Sequence, residues 1–356
     1  MLVVDADVHT PYPSAAALRP HLSERWQEFL DTSRFQAAPG HVNAYPPGAA
    51  TTQLAEAALP PGSSVEANLS KMQEQVLSRW KTDYAILNTY YGIDSLRNPD
   101  LADALTSAVN DWLVAEWLSK DTRVVANMQV QAQYPELAAR EIERIGHHPG
   151  IVGIFLPARS ERPYGNRSYY PMFEAAERLN LVVSIHFGGM SGNPPTSVGW
   201  PTYYFEHYVN MTVVFQSQIS SMVVEGVFQR FPKLRVALNE GGWTWLPSLF
   251  WRLDKEWRGL RRETPWVDRL PSEIIRQNVR ASLEPIDAPP KPGLLLDILE
   301  QIGSEEFLMF STDYPHNHGA QLDDFLSVIP TPLREKIMGQ NAAAFYNLTG
   351  AAVATK

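Results

Sequence analysis

Residues 151–187 read IVGIFLPARSERPYGNRSYYPMFEAAERLNLVVSIHF and contain the unit from which the fold is inferred. Two short apolar runs, 151–157 and 181–187, flank a helix-like segment at 170–179. Continuous Val- and Ile-rich runs of this length indicate strands that are covered on both faces. A strand, a helix and a second strand in this order predict two parallel strands joined by a helical crossover.

The same alternation continues along nearly the whole chain. Six further strand-like runs lie at 2–9, 84–90, 123–130, 234–240, 279–286 and 307–314. Helical patterns lie at 101–118, 135–145, 208–231, 245–257, 294–302, 321–328 and 333–346. Eight strands with helices between them predict an α/β protein with a closed (β/α)₈ TIM barrel. A doubly wound open sheet is the alternative, but it usually has fewer strands, and no G-x-G-x-x-G pattern follows any run.

The length of the chain predicts one large domain with insertions. The chain has 356 residues, whereas a barrel of this type needs about 250. We therefore predict a single barrel domain over 1–356, with one insertion after strand 1, at about 10–68, and one between strands 6 and 7, at about 258–277. The first insertion is rich in Pro, Ala and Gly and is expected to be irregular, whereas the second carries two prolines and many charges.

Composition excludes several classes of protein. The chain has no cysteine, which excludes disulfides, thiolate metal sites and cysteine nucleophiles. A net charge of −9 argues against a nucleic-acid or anionic-membrane partner. The sequence has no apolar run long enough to span a membrane and no signal-peptide pattern at the start, so we expect a cytoplasmic protein with a small-molecule substrate. Ten tryptophans, few charges and two insertions favour a homodimer.

Acids and imidazoles stand at the carboxyl ends of four strand-like runs. They are Asp7 and His9 on the first run, His186 on the fifth, Glu240 on the sixth and Asp313 on the eighth. Active sites of barrels form at this end. Such side chains are costly to bury unless they are paired or bind a metal. The pattern therefore indicates a functional site at one end of the barrel.

Asp7 and His9 are two residues apart, so on a strand their side chains point to the same face. His186 and Asp313 could complete a set of four ligands, and two imidazoles with two carboxylates suit Zn²⁺ or Mn²⁺. Each residue also has an ordinary explanation. Asp-x-His can be a surface or capping pair, a strand histidine can be a core residue, and an Asp before Tyr-Pro can form a turn.

Five segments of the chain resemble the amidohydrolase-related family, in the branch of aminocarboxymuconate semialdehyde decarboxylase and the aromatic acid decarboxylases. In chain order these are DADVH (5–9), SIHFGG (184–189), EGVFQRFPKLRVALNEGGWTWLP (225–247), FSTDYPH (310–316) and KIMGQNAAAFYNL (336–348). The resemblance implies a (β/α)₈ barrel with a catalytic divalent metal.

Position by position, the resemblance makes Asp7, His9, His186 and Asp313 the metal ligands. Family members commonly have His-x-His or Glu-x-His on strand one, so Asp-x-His is a departure. Glu240 stands where several relatives have a catalytic histidine, and it could bind the metal, act as acid or base, or order its loop. Strand four has no lysine, so we expect one ion, Zn²⁺ in first place and Mn²⁺ as the alternative.

The ligand set is compatible with two reactions. Our first expectation is hydrolysis of a C–N or C–O bond in a small cyclic or aromatic substrate by a metal-activated water. The alternative is non-oxidative decarboxylation of an aromatic or unsaturated acid at the same site. Asp313 is the expected proton carrier in both reactions. A glycosidase using Glu240 and Glu284 is a remote alternative, because it leaves the four predicted ligands without a role. A non-catalytic barrel is also remote, because the loss of a ligand would indicate it and the ligand set is complete.

Further residues are predicted around the metal. His316 and His318 form a second His-x-His, so His316 is either a rival ligand or a catalytic group beside the metal. Substrate contacts are predicted at strand-end and loop positions: Arg159 (with Arg162), Tyr203 (with Tyr204), His207, Trp243 and Glu284. Trp245 is expected in the core. Solvated arginines, and a helix surface for His207, are the alternatives.

Overall fold

The computed structural model describes residues 1–35, 45, 59, 63–189, 194–319 and 321–348. Eight parallel strands form one sheet in sequence order. They are β1 (Val4–His9), β2 (Tyr84–Asn88), β3 (Val124–Gln129), β4 (Ile151–Pro157), β5 (Val182–His186), β6 (Val236–Asn239), β7 (Val279–Ser282) and β8 (Leu308–Met309). The Ala6 amide donates to the Phe310 carbonyl at 2.9 Å and the His9 amide to the Tyr314 carbonyl at 2.7 Å, which joins the last strand segment to the first. The predicted (β/α)₈ barrel is confirmed.

Helices surround the strands. They are α1 (Ala15–Leu18), α2 (Glu24–Ser33), α3 (Val65–Met72), α4 (Pro99–Leu113), α5 (Pro135–Ile145), α6 (Tyr170–Arg178), α7 (Tyr204–Val224), α8 (Val227–Arg230), α9 (Leu246–Leu260), α10 (Pro271–Asn278), α11 (Leu294–Ile302), α12 (Gln321–Val328), α13 (Thr331–Glu335) and α14 (Asn341–Phe345). π-helical turns extend α3 through Gln73–Ser78 and α4 through Val114–Leu118, and a third, Lys336–Gln340, joins α13 to α14. Among the described helices, none is long and apolar enough to cross a bilayer.

Local sequence explains where individual helices begin. The Asn98 side chain accepts hydrogen bonds from the amides of Asp100 and Leu101, both at 3.1 Å, so it caps α4 ahead of Pro99. α5 begins at Pro135, which has no amide hydrogen and therefore wastes no donor in the first turn.

The helices differ from the sequence-based expectations in three places. The first insertion is not wholly irregular, because it contains α1, α2 and the start of α3; most of residues 36–62 lies outside the described residues. The second is shorter than 258–277, since α9 extends to Leu260 and α10 leads directly into β7. The helix expected at 208–231 begins at Tyr204 and breaks between α7 and α8. There Gly226 has φ 78°, and an added Cβ would lie 2.5 Å from Trp266.

The two ends of the barrel differ in chemistry. Toward the amino ends of the strands, Val4, Ile86, Val125 and Val182 form an apolar cluster with Met309 and α14 side chains. We call this cluster, together with Phe345, the barrel floor. The carboxyl ends carry the acids and imidazoles.

Candidate metal centre

The structure brings the four predicted ligands together. One potential ligand atom from each of Asp7, His9, His186 and Asp313 lies within 4.8 Å of the others. His186 Nε2 is 3.2 Å from Asp7 Oδ1, and His9 Nε2 is 2.9 Å from Asp313 Oδ1. Four donors bound at about 2.1 Å to one ion require a cluster of about this size.

Both histidines are oriented by backbone carbonyls. His9 Nδ1 donates to the Asn88 carbonyl at 2.9 Å, and His186 Nδ1 donates to the Phe187 carbonyl at 2.9 Å. Each Nε2 therefore points into the cluster. Metal-binding histidines are commonly oriented in this way, because the bond at Nδ1 fixes the tautomer.

Asp313 lies in the loop after β8 and not on the strand, four residues beyond Met309. The loop is tied to β1, because Thr312 donates to the Asp5 carboxylate through its amide at 3.0 Å and its hydroxyl at 2.7 Å. The Asp313 amide donates to the Asp7 carbonyl at 3.0 Å. Asp313 has φ 53°, a left-handed conformation that costs a residue with a Cβ about 1–2 kcal/mol.

Three imidazoles surround the Asp313 carboxylate. His9 Nε2 and His316 Nδ1 lie 2.9 and 3.2 Å from Oδ1, and His318 Nε2 lies 2.6 Å from Oδ2. Burial favours the neutral acid, but the histidines outweigh burial and hold the pKa of Asp313 well below its usual range. Burial also opposes protonation of His316, yet Asp313 raises the pKa of His316 to about 9. The cluster therefore stabilises ionised carboxylate.

The donor set fits a divalent cation. Asp7 Oδ2 is buried and has no hydrogen-bond partner among the described residues, an arrangement that is costly unless a cation lies nearby. Burial opposes protonation of His186, but the Asp7 carboxylate outweighs burial and raises its pKa to about 10. At His9 and His186 both ring nitrogens face oxygen acceptors. A metal ion would take the place of the Nε2 protons.

Glu240 follows β6 directly and adopts a left-handed conformation, with φ 58°. Its amide donates to Ser282 Oγ at 3.1 Å, and its carboxylate accepts from the Tyr208 hydroxyl at 3.2 Å. His9, Glu240, Asp313 and His316 form a second cluster within 4.8 Å that shares two residues with the first. The structure thus brings Glu240 and His316 next to the four predicted ligands.

The acid predicted after β7 is also close to this centre. Glu284 is buried, and its carboxylate accepts from the Ile286 amide at 3.0 Å. Burial raises the pKa of Glu284 to about 7, although the charge of His318 opposes that rise. Glu284 therefore supports the loop beside His318, and among the described residues no hydrogen bond or ion pair joins it to the four ligands, although the charge of Asp313 also disfavours its ionised form.

The predicted substrate contacts are distributed unevenly around the mouth of the barrel. Arg159 is buried, with its guanidinium 5.4 Å from the Trp200 ring centroid, whereas Arg162 is exposed. Tyr203 is 70% exposed at the start of α7. His207 is half-buried, and burial with the charge of Arg159 lowers its pKa to about 4.

Tyr45, a described residue of the first insertion, reaches the mouth of the barrel. Tyr45 packs against Tyr204 and His207, with ring centroids 5.7 and 5.6 Å apart, and its hydroxyl donates to the Pro201 carbonyl at 2.8 Å. Tyr45 therefore lies beside Tyr204 and His207, two of the predicted substrate contacts.

The two tryptophans exchange the positions expected for them. Trp243 is fully buried, donates from its indole to the Leu283 carbonyl at 3.2 Å and packs on Phe325. Trp245, expected in the core, is half-buried and donates to the Gly241 carbonyl at 2.9 Å. On a strand, two residues that are two positions apart would lie on the same face. The chain turns after β6, so the two tryptophans lie in different surroundings.

Sequence reasoning overlooked several polar residues of the site. Asn88 donates to Asp7 at 2.8 Å, Thr312 ties the Asp313 loop to β1, and Tyr208 contacts Glu240. The one available signal was an asparagine at the end of the apolar run YAILN, since amides at strand ends need partners as acids do. Tyr208 carried no comparable signal within a long helical pattern.

A family profile described as "Amidohydrolase" matches residues 4–348, nearly the whole chain. The chain belongs to the amidohydrolase family. This result confirms the resemblance inferred from the five segments.

Curated relatives and solved structures extend the comparison. A 2-amino-3-carboxymuconate-6-semialdehyde decarboxylase from Dictyostelium discoideum is 25% identical over 283 residues, 77% of this chain and 75% of the relative. A gamma-resorcylate decarboxylase from Polaromonas sp. is 24% identical over 281 residues, 72% and 80% of the two chains. A manganese complex of 5-carboxyvanillate decarboxylase from Novosphingobium aromaticivorans has a TM-score of 0.69 at 19% identity, covering 97% of this chain and 96% of the other.

Proposed function

We propose that this protein is a metal-dependent, non-oxidative decarboxylase of an aromatic or unsaturated carboxylic acid. The observation that carries the proposal is the four-ligand cluster, in which one Asp7 oxygen has no partner among the described residues, in a chain similar to two curated decarboxylases. Hydrolysis, our first expectation, is less well supported, because the names of these relatives agree with the alternative. The same ligand set serves either reaction, so the choice rests on the relatives.

Asp7, His9, His186 and Asp313 would hold the ion. When bound, a divalent ion supplies a Lewis acid that offsets negative charge on substrate oxygens. We propose Mn²⁺ ahead of Zn²⁺, which reverses the order expected from the sequence. Two carboxylates in the set suit Mn²⁺, and a structural neighbour was solved with manganese.

The reaction breaks one C–C bond, releases CO₂ and requires a proton at the vacated carbon. His316 Nδ1 and His318 Nε2 lie 3.2 and 2.6 Å from the Asp313 carboxylate oxygens, so these two imidazoles can hold protons beside the proposed metal while His9 gives its Nε2 to the ion. His316, whose side chain is 24% exposed, is the partner with most access to the pocket. We assign proton delivery to His316, with the ionised Asp313 carboxylate passing the proton toward the substrate and His318 fixing its second oxygen.

The mouth of the barrel suits a flat, anionic substrate. Trp200, Tyr204 and His207 provide ring faces, and Arg159 places a cation among them. Aromatic walls with a few charged groups are typical of sites for small aromatic acids. These residues determine which acid is accepted, whereas the metal centre determines the chemistry.

The test uses purified protein loaded with Mn²⁺ or Zn²⁺ and incubated in D₂O with 2,6-dihydroxybenzoate and other hydroxybenzoates, and separately with amides and lactones. We expect CO₂ release and one deuterium at the vacated ring carbon, both lost in Asp7→Ala. Hydrolysis of an amide or lactone without CO₂ release from any acid would overturn the proposal. Absence of stoichiometric metal after loading would overturn it as well.

A further inference from the structure

Two buried amides form a directed chain that ends on Asp7. Asn127 Nδ2, on β3, donates to Asn88 Oδ1 at 2.8 Å, and Asn88 Nδ2, at the end of β2, donates to Asp7 Oδ1 at 2.8 Å. Neither asparagine is exposed to solvent. Because Asn88 Oδ1 accepts the hydrogen bond from Asn127, the side-chain NH₂ group of Asn88 faces Asp7.

Asn88 contacts a second predicted ligand through its backbone. Its carbonyl accepts the hydrogen bond from His9 Nδ1 at 2.9 Å, so one residue orients both ligands of β1. Strand register explains this arrangement. His9 pairs with Asn88, Asn88 with Asn127 and Asn127 with Gly153, in one row across four strands.

Gly153 supplies an independent observation. An added Cβ at Gly153 would lie 2.2 Å from Asn127 Oδ1 and 2.5 Å from the Val182 carbonyl. The Asn127 amide therefore occupies space that any other residue at 153 would fill. A glycine in the middle of a strand weakens it, so close approach of a neighbouring group is the usual reason for its presence.

We propose that Asn127 and Asn88 are positioning residues for the metal centre. They hold Asp7 Oδ1, the oxygen that lies 3.2 Å from His186 Nε2, in a fixed hydrogen bond, and so orient this carboxylate toward the cation that the proposed function requires. The proposal rests on that function. Residues in this position affect metal binding through the orientation of the ligand and do not contact the substrate.

The decisive variant is Asn127→Asp, which keeps the side-chain shape but removes the donor to Asn88. The new carboxylate would accept from Asn88 Nδ2, and the Asn88 amide would rotate to present its oxygen to Asp7. Asn110→Asp is the matched control. Asn110 is equally buried, but it bonds Glu141 and Gln129 away from the ligands.

Mn²⁺ affinity is measured without substrate, from the EPR signal of the free aqua ion, and the melting temperature reports folding. We expect Asn127→Asp and Asn88→Ala to weaken Mn²⁺ binding about 10- to 100-fold. Asn110→Asp should lower the melting temperature and leave Mn²⁺ affinity unchanged. In an Asp7→Asn background, Asn127→Asp should have no further effect on the residual Mn²⁺ affinity, because Asn127 and Asn88 act only through Asp7.

A folded Asn127→Asp variant with wild-type Mn²⁺ affinity would overturn the positioning role of the two asparagines. Equal weakening of Mn²⁺ binding in Asn110→Asp would overturn it as well. Failure of the proposed function looks different. In that case wild-type protein binds Mn²⁺ but releases no CO₂ from any acid, and the comparison of Mn²⁺ affinities still tests whether the two asparagines position Asp7.

Discussion

The two ends of the barrel follow opposite rules of construction. At the carboxyl ends, Asp7, Glu240, Glu284 and Asp313 are buried acids, and two of them adopt left-handed conformations. At the floor, Val4, Ile86 and Met309 pack on α14, where Phe345 is 6% exposed. The floor gains free energy from apolar burial, whereas the site end loses some of it to desolvation and strain.

This contrast separates stability from function along one set of strands. Several strands, among them β1, β2 and β5, contribute one residue to the floor and another to the site, so a single residue contributes mainly to one or the other. Active sites commonly retain such unfavourable features, because ligand binding requires groups that the fold would otherwise exclude. Variants at the two ends should therefore change different measurements.

The largest effect is expected at the centre of the histidine cluster. Asp313→Asn removes the charge that three imidazoles surround, and decarboxylation should fall at least about a thousand-fold, because several kcal/mol of Lewis-acid stabilisation is lost with the metal. CO₂ release and bound metal, measured by mass spectrometry, check this prediction. Asp323→Asn, the same change at an exposed residue of α12, should leave both unchanged. Full metal content with full activity in Asp313→Asn would contradict the assignment.

The next effect should appear at the floor. Phe345→Ala removes a buried ring, so the free energy of unfolding should fall by about 3–5 kcal/mol. Urea denaturation measures this loss, and Phe29→Ala, at a 41% exposed position, should cost much less. Mn²⁺ affinity of the folded fraction should not change. A weaker Mn²⁺ affinity in folded Phe345→Ala would show that the two ends are coupled.

The smallest effect depends on pH. Burial raises the pKa of Glu284 from 4.5 to about 7, so the folded protein keeps a proton that the unfolded chain releases above pH 4.5. The contribution of Glu284 to stability should therefore fall between pH 4.5 and 7, and the full loss, on the order of 3 kcal/mol, should persist above that range. Glu284→Gln should be more stable than wild type at pH 8 and equal to it near pH 4, by urea unfolding of metal-free protein. Equal stability of the two proteins at pH 8 would refute this.

Much of the fold could be predicted from the sequence. The continuous apolar runs specified β4 to the residue, and the helical patterns at 135–145, 294–302 and 321–328 match α5, α11 and α12. β8 is only two residues long, because the chain beyond Met309 is held by side chains and by bonds to β1 and not by a ladder with β7. Periodicity cannot reveal that difference. The homodimer and the cytoplasmic location stay predictions.

The sequence by itself determined the alternation of strands and helices and the placement of Asp7, His9 and His186 at strand ends. Both follow from local burial and side-chain periodicity. Only the tertiary structure decided that Asp313 reaches the site from a loop, that Trp243 is core, and that Asn88 and Asn127 lie behind Asp7. These features depend on strand register and barrel closure, which bring together residues from distant parts of the chain.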